Sequence, residues 1–63
     1  MKLYKKQKRI VAYNHFDYSV IDSSEWFEED DFENFMKAEK KITNEFKYAT
    51  TAIEERYIEV KDG

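Results

Sequence analysis

The sequence predicts a small α+β protein in which an N-terminal β-hairpin packs on one long amphipathic helix. Two observations predict this class. β-Branched and aromatic residues fill two short segments near the N-terminus, and apolar residues then recur every three or four positions from Asp30 to Val60. At 63 residues the chain has the size of one small domain with a thin core, so we expect a single domain spanning residues 1–63.

The hairpin is predicted from residues 9–13 and 16–21, which flank Asn14 and His15. With those two residues as the loop, one face of the hairpin carries Val11, Tyr13, Phe16, Tyr18 and Val20. We expect the helix to cover that face. A longer loop with a shifted register stays open, because His15 stands where a two-residue turn prefers glycine.

The segment after the hairpin contains two helix-start signals. Asp22 and Glu25 form the first, a capping box that predicts a short helical turn over residues 23–28. Asp30 and Glu33 form the second, and the carboxylates around them suit the positive end of a helix dipole. We therefore expect a kink between the short turn and the main helix.

The main helix is predicted over residues 30–60 from a stripe of apolar residues. The stripe consists of Phe32, Phe35, Met36, Ile42, Phe46, Ala49, Ile53, Tyr57 and Val60. Since the chain has no proline and its one glycine is the last residue, no residue in the segment forces a break. About 31 helical residues would run ~46 Å, which is longer than a compact domain of this size. The helix would therefore have to pack its excess length on a second copy or bend near Thr50 and Thr51. Because the core is also too small to stand alone, we expect a homodimer.

A competing interpretation ends the helix near Lys47 and makes residues 53–60 a third strand, which gives a ββαβ order. The composition of Thr50, Thr51 and the residues after them is strand-like. One side of this strand would carry Ile53, Glu55, Tyr57 and Glu59, and the other Glu54, Arg56, Ile58 and Val60. Because both sides mix apolar and charged residues, the helix is the preferred interpretation.

Composition excludes several kinds of chemistry. The chain has no cysteine and one histidine, which excludes a disulfide framework, a thiolate zinc site and a histidine metal cluster. A single glycine at the last position leaves no glycine-rich phosphate loop. His15 lies two residues before Asp17, but the sequence places no serine or cysteine nucleophile beside it. We therefore expect a protein that is not an enzyme, with no catalytic residue, no cofactor and no bound metal.

The chain lacks the usual membrane signals. It has no run of 18 apolar residues, and its N-terminus leads into polar residues rather than an apolar signal core. We therefore expect a cytoplasmic protein without membrane contact.

Charge is strongly segregated along the chain, although the net charge is only -3. Residues 1–15 carry five bases and no acid, whereas residues 16–33 carry eight acids and no base. Such asymmetry bears on partners and on association rates rather than on the fold.

The acidic block alternates with aromatic residues, which is typical of a binding surface for a basic partner. The predicted partner-binding residues are Asp22, Glu25, Trp26, Phe27, Glu28, Glu29, Asp30, Asp31 and Glu33. We expect an inhibitor or adaptor, whose carboxylates could take the place of phosphates in the nucleic-acid site of another protein. The simpler interpretation is that Trp26 and Phe27 close the core while the acids are only solvated.

The alternative function is a small nucleic-acid-binding regulator that uses the basic N-terminal residues. Residues 1–8 would form a mobile basic arm or the frayed start of a strand. Its phosphate-binding and base-stacking residues would be Lys2, Tyr4, Lys5, Lys6, Lys8 and Arg9.

Overall fold

The computed structural model describes residues 2–60, which form an antiparallel β-sheet with one helix on one face. In chain order the elements are β1 (Leu3–Tyr13), β2 (Val20–Ser23), β3 (Phe27–Glu28), α1 (Phe32–Glu45) and β4 (Thr50–Val60). The α+β class and the N-terminal hairpin are confirmed, and the C-terminal strand is the one that the competing interpretation predicted. The molecule is elongated, with extents of 44 × 25 × 12 Å.

Strand β1 is the centre of the sheet. β4 pairs with it along its whole length, from Leu3 opposite Val60 to Tyr13 opposite Thr50. β2 and β3 share the other side of β1, where they pair with residues 11–13 and 7–8. The predicted mobile arm, residues 1–8, is therefore part of β1 from Leu3 onward, while Met1 lies outside the described residues. The start of a strand was the second alternative for these residues, and the sequence could not select it because the pairing strand β4 is distant along the chain.

The prediction of one long helix over residues 30–60 is wrong. α1 has 14 residues, and its last turn closes where the Phe46 N–H donates to the Ile42 carbonyl. A turn follows, in which the Ala49 N–H donates to the Phe46 carbonyl at 3.1 Å, and the chain then reverses into β4. The backbone groups on the open side of β1 need partners, and residues 50–60 supply them along the whole strand, which outweighs the helical periodicity of these residues. The overhanging helix that predicted a homodimer is therefore absent.

The short helical turn predicted over residues 23–28 is also wrong. Phe27 and Glu28 form β3 instead, opposite Lys8 and Gln7 of β1. This pairing carries the Phe27 ring into the core, which a capping-box helix would not do. The main helix begins at Phe32, two residues after the predicted start at Asp30, and its N-cap is Asp31 rather than Asp30.

The core lies between α1 and the face of β1 that carries Ile10 and Ala12. Phe27, Phe35 and Ile42 complete this buried cluster. Val11 and Tyr13 belonged to the face predicted to lie under the helix, but by alternation they are on the opposite face, where Val11 is nevertheless fully buried. Phe16 and Tyr18 fall in a loop and Val20 is exposed, because the loop spans residues 14–19 and a register irregularity follows Ala12. This is the longer loop that the sequence left open.

Candidate functional site

The acidic block forms one edge of the molecule. β2 and β3 both pair with the side of β1 away from β4, so the chain from β2 to the start of α1 runs along that side. We call this surface the acidic edge. It consists of Asp22, Glu25, Glu28, Glu29, Asp30, Asp31 and Glu33. All of these residues are exposed except Glu28 and Asp31, which are half-buried.

No carboxylate of the acidic edge forms a salt bridge within residues 2–60. The ion pairs found there join Lys6 to Glu55 at 3.0 Å and Arg9 to Glu54 at 2.7 Å, and both involve acids of β4. Two members of the acidic edge have neutral side-chain partners. Glu28 accepts a hydrogen bond from Gln7 at 3.2 Å, and Asp31 accepts one from Asn34 at 2.9 Å. The negative charge of the edge is therefore not neutralised by direct contact with a base in the described part of the chain.

The two aromatic residues predicted for this surface have separate roles. Phe27 is 8% exposed, and its ring meets that of Phe35 edge to face at 6.2 Å. Its side chain is core and unavailable to a partner, as the simpler interpretation had it. Trp26 is half-buried on the face without the helix, where the guanidinium groups of Arg9 and Arg56 lie 4.6 and 4.2 Å from its ring.

Hydrogen bonds link the Trp26 site to the acidic edge. Arg56 Nε donates to Gln7 Oε1 at 2.9 Å, and Gln7 Nε2 donates in turn to Glu28. On the other side, Glu54 accepts hydrogen bonds from Arg9 Nε at 2.8 Å and from the Tyr13 hydroxyl at 3.2 Å. Loss of solvent and the Glu54 charge raise the pKa of the Tyr13 phenol. These contacts hold the indole in place rather than leaving it as a free anchor.

The basic residues predicted for nucleic-acid binding are divided between the two faces of β1. Lys6 and Lys8 lie on the helix side with Tyr4, whereas Lys5 and Arg9 lie on the other side. The hydrogen bond and the charge of Glu55 raise the pKa of Lys6. Lys8 Nζ lies 4.6 Å from the Phe35 ring, and Arg9 is bound as described above. Lys2 precedes the strand. These residues therefore do not form one basic surface.

The start of β1 and the turn before α1 border a shallow groove, which is lined by both basic and acidic residues. Its lining residues are Tyr4, Lys5, Lys6, Glu28, Glu29 and Asp30. The groove places lysines beside acids without an ion pair between them. The neighbouring lysines make the electrostatic potential of the acidic edge less negative at this point.

Sequence reasoning missed a second exposed surface at the end of the molecule where β1 meets the hairpin loop. Phe16 is 90% exposed in that loop, and Tyr48 is 95% exposed in the turn after α1. Both side chains border one groove together with Ile21 and Phe46. For Phe16 the signal in the sequence was an aromatic residue set among turn-forming Asn14, Asp17 and Ser19, whereas Tyr48 has no such neighbours.

The hairpin loop is held by its own hydrogen bonds while its rings face solvent. The Asn14 side chain accepts from the Phe16 N–H at 2.8 Å, and Asp17 accepts from both the N–H and the hydroxyl of Ser19. Those bonds lower the pKa of Asp17. Tyr18 has a φ of 59°, in the left-handed region that is rare for aromatic residues. The loop is thus ordered around a strained backbone position.

Within residues 2–60, no group of three or more His, Cys, Asp and Glu side chains is arranged to hold a metal ion. His15 is exposed, and its ring lies 5.4 Å from that of Phe16. The helix in this part of the chain is not long and apolar enough to cross a membrane. Comparison of the chain with protein-family models, with curated proteins and with solved structures gives no significant match.

Proposed function

We propose that the protein is a non-catalytic interaction module, an inhibitor or adaptor that presents the acidic edge to a basic protein partner. One observation supports this function. Acids that are consecutive or nearly so in sequence lie together along one edge, and none of them is ion-paired within residues 2–60. Like charges held this close destabilise the fold, so folding alone does not explain them.

The acids of the acidic edge are carried by ordered elements rather than by a flexible tail, which favours binding. A strand, a turn and the first turn of a helix carry Glu28, Glu29 and Glu33, so their backbone positions are fixed before a partner arrives. Pre-ordered carboxylates cost less conformational entropy on binding than disordered ones. A row of fixed negative charges also resembles phosphates, which makes a nucleic-acid-binding protein the favoured class of basic partner.

The alternative, nucleic-acid binding through β1, has less support from the geometry. Its basic residues point to two faces, and Lys6 and Arg9 are already paired with acids of β4. A nucleic-acid-binding protein of this kind should retard DNA or RNA in a gel, with an affinity that falls steeply as salt rises.

The experiment compares two double variants that remove the same charge from different places. Glu29→Gln with Asp30→Asn changes two exposed acids of the acidic edge that accept no side-chain hydrogen bond within residues 2–60. Glu39→Gln with Glu59→Gln is the control, because Glu39 borders a groove with β4, Glu59 lies on β4, and neither belongs to the acidic edge. We expect the first pair to slow association with the partner isolated from the native host by at least about tenfold, and the control to leave it nearly unchanged, since close charge complementarity acts on the on-rate.

Salt provides the second measurement. The wild-type on-rate should fall as ionic strength rises, and the acidic-edge variant should show a weaker dependence. Equal association rates for the wild type and both variants would remove the support for the acidic edge. Salt-sensitive retardation of DNA by the wild type would support the alternative instead.

A further inference from the structure

The outer edge of β4 is a long unpaired strand edge. β4 has 11 residues and pairs with β1 throughout, and within residues 2–60 no strand lies on its other side. Strands of five or six residues are typical, and natural proteins usually shorten, bend or cover an exposed edge. An edge of this length is ready to pair with another strand.

The hydrogen bonds of one residue show which backbone groups of β4 face outward. The Ile10 N–H donates to Ser24 Oγ at 3.0 Å, and its carbonyl accepts from the Ser24 N–H at 2.8 Å. Both groups therefore point away from β4, and Ile53, directly opposite, belongs to a pair without hydrogen bonds. Hydrogen-bonded and non-hydrogen-bonded pairs alternate along an antiparallel ladder. The backbone N–H and C=O groups of β4 that face outward therefore belong to Thr51, Ile53, Glu55, Tyr57 and Glu59.

We propose that this edge binds a second copy of the chain, with β4 pairing antiparallel to β4 about a two-fold axis at Glu55. In this register each residue whose backbone groups face outward lies opposite another such residue of the second copy. The five opposed pairs form about ten backbone hydrogen bonds, two for each pair. Thr51 meets the partner's Glu59, and Ile53 meets the partner's Tyr57. A two-fold axis at a neighbouring residue would leave one end of the edge unpaired.

The side chains on the helix side of β4 are complementary in this register. α1 packs on β1 and β3, so Ile53 and Tyr57 remain 53% and 68% exposed. The pairing sets each Ile53 against the partner's Tyr57, an aromatic and β-branched pair that stabilises sheets. The dimer thus covers apolar surface that the single chain leaves in water.

Charge on the other side of β4 selects the same register. Glu54 meets the partner's Arg56, and the two-fold axis makes this ion pair twice. Moving the axis by one residue would oppose Glu54 with Glu54, or Arg56 with Arg56, and lose both pairs. Arg56 uses Nε for Gln7, so its terminal N–H groups can still donate. The Glu54 carboxylate already binds Arg9 and Tyr13, so the new ion pair would share it with them.

One contact opposes the pairing, because Glu55 meets its own copy at the axis. Each Glu55 is bound to Lys6 of its own β1 at 3.0 Å. The central row therefore alternates in charge as Lys6, Glu55, Glu55 and Lys6, so that each carboxylate has a base beside it. The two lysines offset the repulsion between the two acids.

The dimer would have one continuous sheet with both helices on the same face. The two acidic edges would lie at opposite ends of that sheet, since each is on the far side of its β1. This arrangement goes beyond the proposed function, and it would allow one dimer to bind two basic partners.

A single cysteine at the axis tests both the dimer and its register. Glu55→Cys places two sulfur atoms on residues whose Cα atoms are about 5.5 Å apart, within the range of a disulfide. The matched control is Tyr57→Cys, whose two copies are offset by four residues, or about 13 Å. The chain contains no other cysteine, so any disulfide joins two copies.

We expect wild type at high micromolar concentration to sediment with about twice the 7.7 kDa mass of one chain. Under mild oxidation, Glu55→Cys should cross-link at least about tenfold faster than Tyr57→Cys, because only its thiols reach disulfide geometry. A monomeric wild type would overturn the proposal. So would equal cross-linking of the two variants, because the copies would then meet in another register or only by collision.

A charge exchange gives an independent check. Glu54→Arg alone and Arg56→Glu alone should each be monomeric, because the ion pairs become repulsive on both sides of the axis. Mixed together, the two variants should form a heterodimer with both pairs restored. Circular dichroism must show each variant folded, since Glu54 also binds Arg9. If either does not fold, the cysteine comparison decides. Folded variants that dimerise alone as well as wild type would contradict the charge pairing.

Discussion

Truncation of Phe35 is the sharpest test of how the core is built. Phe35 is 3% exposed, meets the Phe27 ring edge to face at 6.2 Å, and lies 4.6 Å from Lys8 Nζ. Phe35→Ala removes these contacts and leaves a cavity between α1 and β1. Substitutions of this type cost about 3 to 5 kcal/mol.

The expected loss is large compared with the total stability of so small a protein. At about 0.05 to 0.15 kcal/mol per residue, a chain of 63 residues has a free energy of unfolding of about 3 to 9 kcal/mol. The core contains few residues, so a neighbouring side chain cannot easily fill the cavity. We therefore expect Phe35→Ala to be largely unfolded or to unfold at much lower urea concentrations than the wild type.

Phe32→Ala is the matched control, because it removes the same side chain from the same helix. Phe32 belongs to the same apolar stripe but is 58% exposed, so its truncation should cost less than about 1 kcal/mol. Urea unfolding followed by circular dichroism compares the two variants with wild type. If Phe35→Ala shifts the midpoint no further than Phe32→Ala does, then α1 does not pack on β1 through Phe35.

Two further results are expected from side-chain contacts outside the core. The hydrogen bonds from Ser19 stabilise the ionised form of Asp17 and lower its pKa. Their contribution to the stability of the hairpin loop is complete at pH values above the ordinary aspartate pKa of about 3.9, and it is lost as the pH falls through the lowered pKa. The Ser19 amide resonance should therefore shift in that acid range, and Asp17→Asn, which keeps the acceptor oxygen but does not titrate, should abolish that dependence. Arg56→Ala should remove one guanidinium group from the Trp26 ring, shift the tryptophan emission to longer wavelength and cost about 0.5 to 1 kcal/mol. Unchanged emission would show that Arg56 does not cover the indole in solution.

The candidate surfaces differ in how far the sequence could predict them. The acids of the acidic edge are close together in the chain, so any compact fold keeps them near one another, and the sequence predicted the group. The sequence could not show that Phe27 is in the core while Trp26 lies on the opposite face, because neighbouring residues of an extended segment point to opposite faces of a sheet. The exposed rings of Phe16 and Tyr48 were missed because two turns that are distant in sequence bring them to one groove.

The sequence by itself determined the α+β class, the hairpin and a helix that buries Phe35 and Ile42, since these follow from local composition and from periodicity over neighbouring residues. Only the tertiary structure decided the state of residues 50–60. Their apolar positions fit a helix, while their Thr and Ile content fits a strand, so local preferences nearly cancel. β1 settled the choice, because the backbone groups on its open side need a partner strand, and β4 supplies one along the whole of β1. The same long-range pairing left the outer edge of β4 exposed, which is why the surface proposed for a second copy could not be read from the sequence.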